Sequence, residues 1–148
     1  MKKTIAILGS TGSIGKSTVE IIKKDKKNFD IILLTTNSNY REILKQSKLF
    51  KVRNIVINNK KNYLILKKKF KNNKVNIFNN FEAFIKKFNG KIDFTMSAIS
   101  GLEGLKPTLD IIKFSKTIAI ANKESIICGW NLINQMLKKY KTKFIPVD

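Results

Sequence analysis

The sequence has 148 residues, 43% of them hydrophobic, with 30 Lys and Arg against 10 Asp and Glu for a formal net charge of +20. That is apolar material for one domain, residues 1–148, with a core hiding roughly 70% of the surface the unfolded chain exposes. No apolar run approaches the ~20 residues that span a bilayer, the lone Cys128 has no internal disulfide partner, and a chain without histidine offers neither a Cys/His zinc cluster nor a triad with a histidine base.

Thr4–Leu8 is the first of seven short apolar runs that read as strands, and the absence of any leader-like segment before it predicts a cytoplasmic protein without a membrane partner. Gly9-Ser10-Thr11-Gly12-Ser13-Ile14-Gly15 follows, then the amphipathic stretch Lys16–Lys24. Strand, glycine-rich turn and helix thus stand in the order that a dinucleotide site requires. Gly9 permits a tight turn, Gly12 lets backbone approach a pyrophosphate, and Gly15 lets the new helix pack on the sheet. Free N–H groups and the positive dipole end at the helix start attract phosphate. The spacing G-x-x-G-x-x-G is a variant of G-x-G-x-x-G. It is not a Walker loop, because Gly15-Lys16-Ser17 lacks a glycine at the prescribed distance before it, so hydride transfer is favoured over phosphoryl transfer.

Phe29–Leu34 is the second run, and the residues after it, Thr35-Thr36-Asn37-Ser38-Asn39-Tyr40-Arg41, include no acid. An NAD site places Asp or Glu there to hold the ribose 2′-hydroxyl, and that charge would repel a 2′-phosphate. Hydroxyls, amides and Arg41 therefore point to NADPH, although the same residues would also serve as a turn and helix cap.

Asn54–Ile57 and Val75–Phe78 lie within residues 45–91, which carry 14 Lys and Arg against the single acid Glu82. Phenylalanines interleaved with lysines are what a single-strand nucleic-acid surface needs. Phe81, Phe84, Ile85 and Phe88, however, fall at i, i+3, i+4 and i+7, the spacing of one buried helical stripe. The chain also has 28 lysines but only two arginines, Arg41 and Arg53, beside 16 Asn and 23 Ile. Phosphate and guanine recognition favours the arginine fork, so the charge reads as compositional bias and no nucleic-acid partner is expected.

Ile92–Met96, Thr117–Ala121 and Phe144–Val147 complete the strands. Between them Pro107 fits the first turn of a helix carrying Leu105, Leu109 and Ile112. Asn122 fits the cap of the last helix, for which Ile126, Trp130, Ile133, Leu137 and Tyr140 predict the buried stripe. Continuously apolar strands alternating with helices predict an α/β fold: a doubly wound, mostly parallel sheet with helices on both faces.

Gly9–Gly15, Met96-Ser97-Ala98-Ile99-Ser100-Gly101, Gly104-Leu105, Pro107-Thr108-Leu109, Ala121-Asn122-Lys123-Glu124-Ser125 and Ile145-Pro146-Val147-Asp148, in that order and at those separations, resemble the N-terminal part of the 1-deoxy-D-xylulose 5-phosphate reductoisomerase family. The Ala-Asn-Lys-Glu-Ser and Ile-Pro-Val-Asp segments are the specific part. The resemblance implies a Rossmann-like NADPH-binding domain of an oxidoreductase of non-mevalonate isoprenoid biosynthesis. Such an enzyme converts 1-deoxy-D-xylulose 5-phosphate, a sugar phosphate, to 2-C-methyl-D-erythritol 4-phosphate with NADPH and a divalent metal, Mg²⁺ or Mn²⁺, and its full-length form is expected to be a homodimer. It implies that Thr11, Gly12, Ser13 and Ile14 bind the cofactor's phosphates and that Asn37, Ser38 and Asn39 lie by its 2′-phosphate. Asn122 and Glu124 would contact the cofactor, Lys123 the substrate and Asp148 the metal.

Two departures accompany the resemblance. The family often has Gly and Lys where this chain has Asn37 and Ser38, which removes a cation from the 2′-phosphate site. The family also continues past the aspartate with a second metal carboxylate, a catalytic region and a helical domain. One carboxylate does not complete a Mg²⁺ or Mn²⁺ site, so the expectation is weak NADPH binding without turnover. Lys123 is poorly matched to the dipole of a helix start, a pointer to an anionic or polar ligand, whereas Glu124 suits that dipole with no function at all. Another NADPH-dependent reductase with a similar loop, or a basic nucleic-acid-binding module, are the alternative readings.

Overall fold

Each of the seven apolar runs is a strand, and each interval between them holds a helix. The computed structural model describes residues 1–71 and 74–147. Its elements run β1 (Lys3–Leu8), α1 (Ser13–Lys23), β2 (Phe29–Thr36), α2 (Tyr40–Phe50), β3 (Asn54–Ile57), α3 (Lys60–Lys69) and β4 (Asn76–Phe78), then α4 (Phe81–Lys87), β5 (Ile92–Ser97), α5 (Leu105–Ile112), β6 (Ser115–Ile120), α6 (Lys123–Tyr140) and β7 (Lys143–Pro146). All six strand pairings are parallel, in the spatial order β4-β3-β2-β1-β5-β6-β7. Strand order reverses at β1, which lies between β2 and β5. In open parallel sheets a ligand crevice forms at that reversal, outside the carboxyl ends of the strands.

The alternation of side chains along the strands, broken in β2 where Ile32 and Leu33 both enter one core, divides the interior into two cores. Ile5 and Ile7 face α1, α2 and α3 together with Ile31, Leu34, Ile55 and Ile57. Ala6 and Leu8 face the other way, into a layer with Phe84 of α4, Ile111 and Ile112 of α5, and Ile133 and Leu137 of α6. Each fully buried Ile or Leu contributes about 1.5–3 kcal/mol relative to exposure, and both faces need such residues, which is why the strands read as unbroken apolar runs.

Five strands reach one or two residues past a predicted end, and in β2 and β6 the added polar residues find partners. β2 continues through Thr35 and Thr36, which pair with Val56 and Ile57. β6 begins two residues early at Ser115, whose hydroxyl meets that of Thr95 at 2.7 Å and donates to the carbonyl of Ile111. The phenylalanines of the lysine-rich stretch point inward as their spacing predicts. Phe78, Phe81, Phe84, Phe88 and Phe114 pack ring against ring at 5.1–5.7 Å, which withdraws them from any base-stacking surface.

The predicted stripe on α6 needs one correction. Its buried line is Ser125, Gly129, Ile133 and Leu137, while Trp130 is 37% exposed and leans on Phe144 of β7 at 5.4 Å. Small residues at 125 and 129 let the start of α6 approach Leu105 closely: a Cβ on Gly129 would lie 2.4 Å from a Leu105 methyl. No helix is long and apolar enough to cross a membrane among the described residues.

Candidate functional site

The turn after β1 assigns a different task to each of its glycines. Gly9 has φ +78°, and a Cβ there would lie 2.7 Å from the carbonyl oxygen of Ala98; side chains other than hydrogen are excluded on both counts. A Cβ on Gly15 would lie 2.1 Å from the Gly9 oxygen, so this glycine packs α1 onto the turn itself rather than onto the sheet as predicted. Gly12 differs. A Cβ there would meet only the Gly9 oxygen at an ordinary 3.6 Å, which leaves its other side open.

The turn is tethered from β2. Thr35 Oγ1 accepts from Gly9 N at 2.9 Å, the Thr35 carbonyl accepts from Ser10 N at 2.9 Å, and the Thr11 and Thr36 hydroxyls meet at 2.6 Å. From α2, Gln46 Nε2 donates to the Ser10 carbonyl at 3.0 Å. Held this way, the chain enters α1 with Gly12 at the cap position, no side chain capping it and no acid in the first turn. The first N–H groups of a helix have no partner within it, so those of Ser13, Ile14 and Gly15, with the positive end of the dipole, are suited to receive an anion. Just before them in the chain, Gly9, Thr11 and Gly12 line a cavity of about 270 Å³ between the carboxyl ends of β1, β2, β3 and β5, together with Thr36, Asn37, Ala98 and Ser100 among others.

At the β2 end of this crevice Asn37 lines the wall. Its carbonyl accepts from Asn59 N, and Asn62 Nδ2 donates to the Ser38 carbonyl, both at 2.8 Å, so the start of α3 supports this loop. Asn39 caps α2, its Oδ1 accepting from Glu42 N at 3.1 Å, and its own N–H reaches Thr36 Oγ1 at 3.4 Å. Arg41 folds back on its neighbour: Nε donates to Tyr40 Oη at 3.3 Å and the guanidinium lies 5.7 Å from the ring centre. That hydrogen bond lowers the Tyr40 hydroxyl's pKa and raises that of Arg41. Arg41 is exposed, one turn of chain from Asn37, and does not line the cavity.

At the β5 and β6 end, Asn122 is buried and caps α6, its Oδ1 accepting from Ser125 N at 3.1 Å, as predicted for a cap. Lys123 and Glu124, in the exposed first turn, stand at the carboxyl edge of the sheet. Asp148, the metal ligand implied by the resemblance, lies outside the described residues, and among those described no three His, Cys, Asp or Glu side chains gather to hold a metal. A larger hollow of about 850 Å³ lies on the α1 side of β5 and β6, lined by Ile5, Ile21, Phe94 and Met96 with lysines at its rim. Thr18, Ile21 and Ile22 of α1 form one of its sides. No glycine lines it, so the smaller crevice is the candidate site.

Gln46, and the role of Thr35 and Thr36 as tethers of the turn, are parts of the site that motif reading passes over. The signal was present: two hydroxyls ending an apolar strand, and a polar Gln46 beside Ile43 and Ser47 on the buried side of α2, each demand a buried partner.

The family model described as 1-deoxy-D-xylulose 5-phosphate reductoisomerase matches residues 5–129. The protein of that name from Pelagibacter ubique (strain HTCC1062) is 64% identical over 148 residues, which cover 99% of this chain and 38% of that one. The solved structure of the Zymomonas mobilis reductoisomerase in complex with NADPH superposes with a TM-score of 0.91 at 33% identity, covering 99% of this chain and 39% of that chain. A reductoisomerase in complex with NADPH, fosmidomycin and magnesium superposes at 0.87 with 31% identity, covering 97% of this chain and 36% of that one. The chain thus spans about 38% of the length of the curated relatives it matches.

Proposed function

The chain belongs to the 1-deoxy-D-xylulose 5-phosphate reductoisomerase family, and from that premise we propose that residues 1–148 form its NADPH-binding domain. The observation that carries the proposal is the asymmetry of the glycine turn. Its protein side has no room for a Cβ at Gly9 or Gly15, while Gly12 is open. A turn built only for compactness has no need of a glycine at the open position; one that lets a diphosphate rest on backbone does.

In this reading Thr11, Gly12, Ser13 and Ile14 hold the diphosphate, the free N–H groups of Ser13 and Ile14 and the α1 dipole attracting it and Gly12, whose own N–H is donated to the Gly9 carbonyl, supplying the close approach. Asn37, Ser38 and Asn39 border the 2′-phosphate, and Arg41 turns from Tyr40 to meet it. The reduced nicotinamide, when bound, supplies hydride. The protein's part is to hold that ring at the β5 and β6 end of the crevice, with Glu124 beside it, and to present Lys123 to the anionic sugar phosphate from the same edge. Asp148 is the one metal ligand the chain would contribute, and Mg²⁺ or Mn²⁺ requires several oxygen ligands. Carbonyl rearrangement and reduction of 1-deoxy-D-xylulose 5-phosphate belong to the full-length, homodimeric, cytoplasmic enzyme.

Titration of the 148-residue chain with NADPH and with NADH, followed by nicotinamide fluorescence, tests the proposal. Saturable binding of NADPH, weaker binding of NADH and no turnover of substrate are expected. No binding, or equal binding of the two, contradicts it.

A further inference from the structure

Asn122 is implied by the resemblance to contact the cofactor, and its side-chain donors are already committed within the chain. It is 4% exposed. Nδ2 donates to the carbonyls of Ile99 and Gly101, each at 2.5 Å, and Oδ1 accepts from Ser125 N at 3.1 Å. An amide has two N–H donors, and both are engaged. Its main-chain carbonyl accepts from Ile126 N at 3.3 Å.

The two carbonyls belong to the turn after β5, where Gly101 adopts φ +77° and Ala98, Ile99 and Ser100 line the crevice. The oxygen reaches the first turn of α6, which carries Lys123 and Glu124. One side chain therefore joins a wall of the crevice to the start of α6. The space it occupies is kept by Gly104, where a Cβ would lie 2.5 Å from Asn122 Nδ2 and 2.7 Å from the Ile99 oxygen. In a dinucleotide fold the half of the sheet carrying β2 takes the adenosine, so the opposite half takes the nicotinamide.

We infer that Asn122 is a positioning residue: it clamps the 99–101 turn to the start of α6, fixing the nicotinamide wall of the crevice relative to Lys123, and Gly104 exists to admit it. The inference rests on the NADPH reading only for its consequence in binding; the clamp itself is a property of the free protein.

Asn122→Asp and Asn122→Ser both keep an oxygen for the α6 cap and lose the amide donors, while Gly104→Ala keeps Asn122 and displaces it. Hydrogen exchange of the ligand-free chain should show amides 99–104 and 123–126 exchanging faster together in all three, by about tenfold or more, the effect of losing ~1.4 kcal/mol of local stability. NADPH affinity should fall about tenfold, while that of 2′,5′-ADP, which reaches only the adenosine half, stays unchanged. Gly104→Ala keeps the test alive if the Asn122 variants do not fold. Unchanged exchange overturns the clamp, whether or not NADPH is weakened. Faster exchange throughout the chain, with equal loss of both ligands, overturns it as well, since that is general destabilisation. A native chain that binds neither ligand defeats the NADPH proposal, while the exchange data still decide the clamp.

Discussion

The three glycines of the phosphate turn look equivalent in sequence and are not equivalent in space. Gly15→Ala forces a methyl to within 2.1 Å of the Gly9 oxygen, so the turn must open; we expect a loss of about 2–3 kcal/mol, as for other overpacked sites, together with loss of NADPH binding. Gly12 has φ −79° and room for a Cβ, so Gly12→Ala should leave the melting temperature within a degree or two of the native chain while weakening NADPH by about tenfold or more, the cost of ~1.4 kcal/mol at the contact. Thermal melts and fluorescence titrations of the two variants separate the structural glycine from the binding one. The sequence pattern located all three; which one faces the ligand depends on the return of Ala98 and on the packing of α1, both long-range contacts. Asp93 offers a test by pH. Its carboxylate accepts from Thr4 N at 2.8 Å and Thr4 Oγ1 at 3.2 Å and pairs with Lys116 at 3.0 Å. The Thr4 N–H first, then Lys116, lowers its pKa below the usual aspartate value. A lowered folded pKa means that the stabilisation is complete above the unfolded value of ~3.9 and is lost as pH falls through the folded one. Asp93→Asn should therefore cost about 1–2 kcal/mol at neutral pH, and the difference between the two melting curves should vanish as the pH is brought well below 4.

At the scale of elements, order and type were legible because strand and helix periods differ and both faces of the sheet are buried. Asn54–Ile57 is a strand at the predicted limits, and the other strands shift by one or two residues, in β2 and β6 where a hydroxyl finds a partner. The stripe on α6 was misplaced at Trp130 because periodicity marks large apolar residues, whereas the seam against α5 runs through Ser125 and Gly129, where smallness decides the packing. The β2–α2 loop shows a similar limit. Its lack of acid was visible, but its support from Asn59 and Asn62 of the next helix start was not, since partners more than 20 residues away leave no local signal. This loop also carries the departure from the family, and it can be reversed: Ser38→Lys places a cation beside a 2′-phosphate, and its NADPH affinity should rise several-fold with NADH unchanged, in line with the ~1 kcal/mol of a partly exposed ion pair. A rise for both cofactors, or for neither, would place the 2′-phosphate elsewhere. Gln46→Ala removes the α2 tether on Ser10 and should cost about 1 kcal/mol of stability with weaker binding, readable in the same two assays.

Over the whole molecule, the charge of +20 is the feature most open to misreading, because any anionic ligand will be drawn to so basic a chain. Diffuse attraction and a built site differ in where the ligand goes and in what salt does to it. Lysines spread over exposed helix faces are screened within a Debye length of ~8 Å at physiological ionic strength, whereas backbone N–H groups converging at the start of α1 keep their geometry. In the proposed function one crevice, at the reversal of strand order, takes the dinucleotide. The most direct measurement is an amide NMR titration of the isotope-labelled chain with NADPH at physiological salt. Saturable shifts concentrated at Gly9–Ile14 and Asn37–Asn39, with a second set at Ala98–Gly101 and Lys123–Ser125, are what this account predicts. Shifts scattered over the lysines of α3 and α6, unsaturated and erased by modest salt, would contradict it.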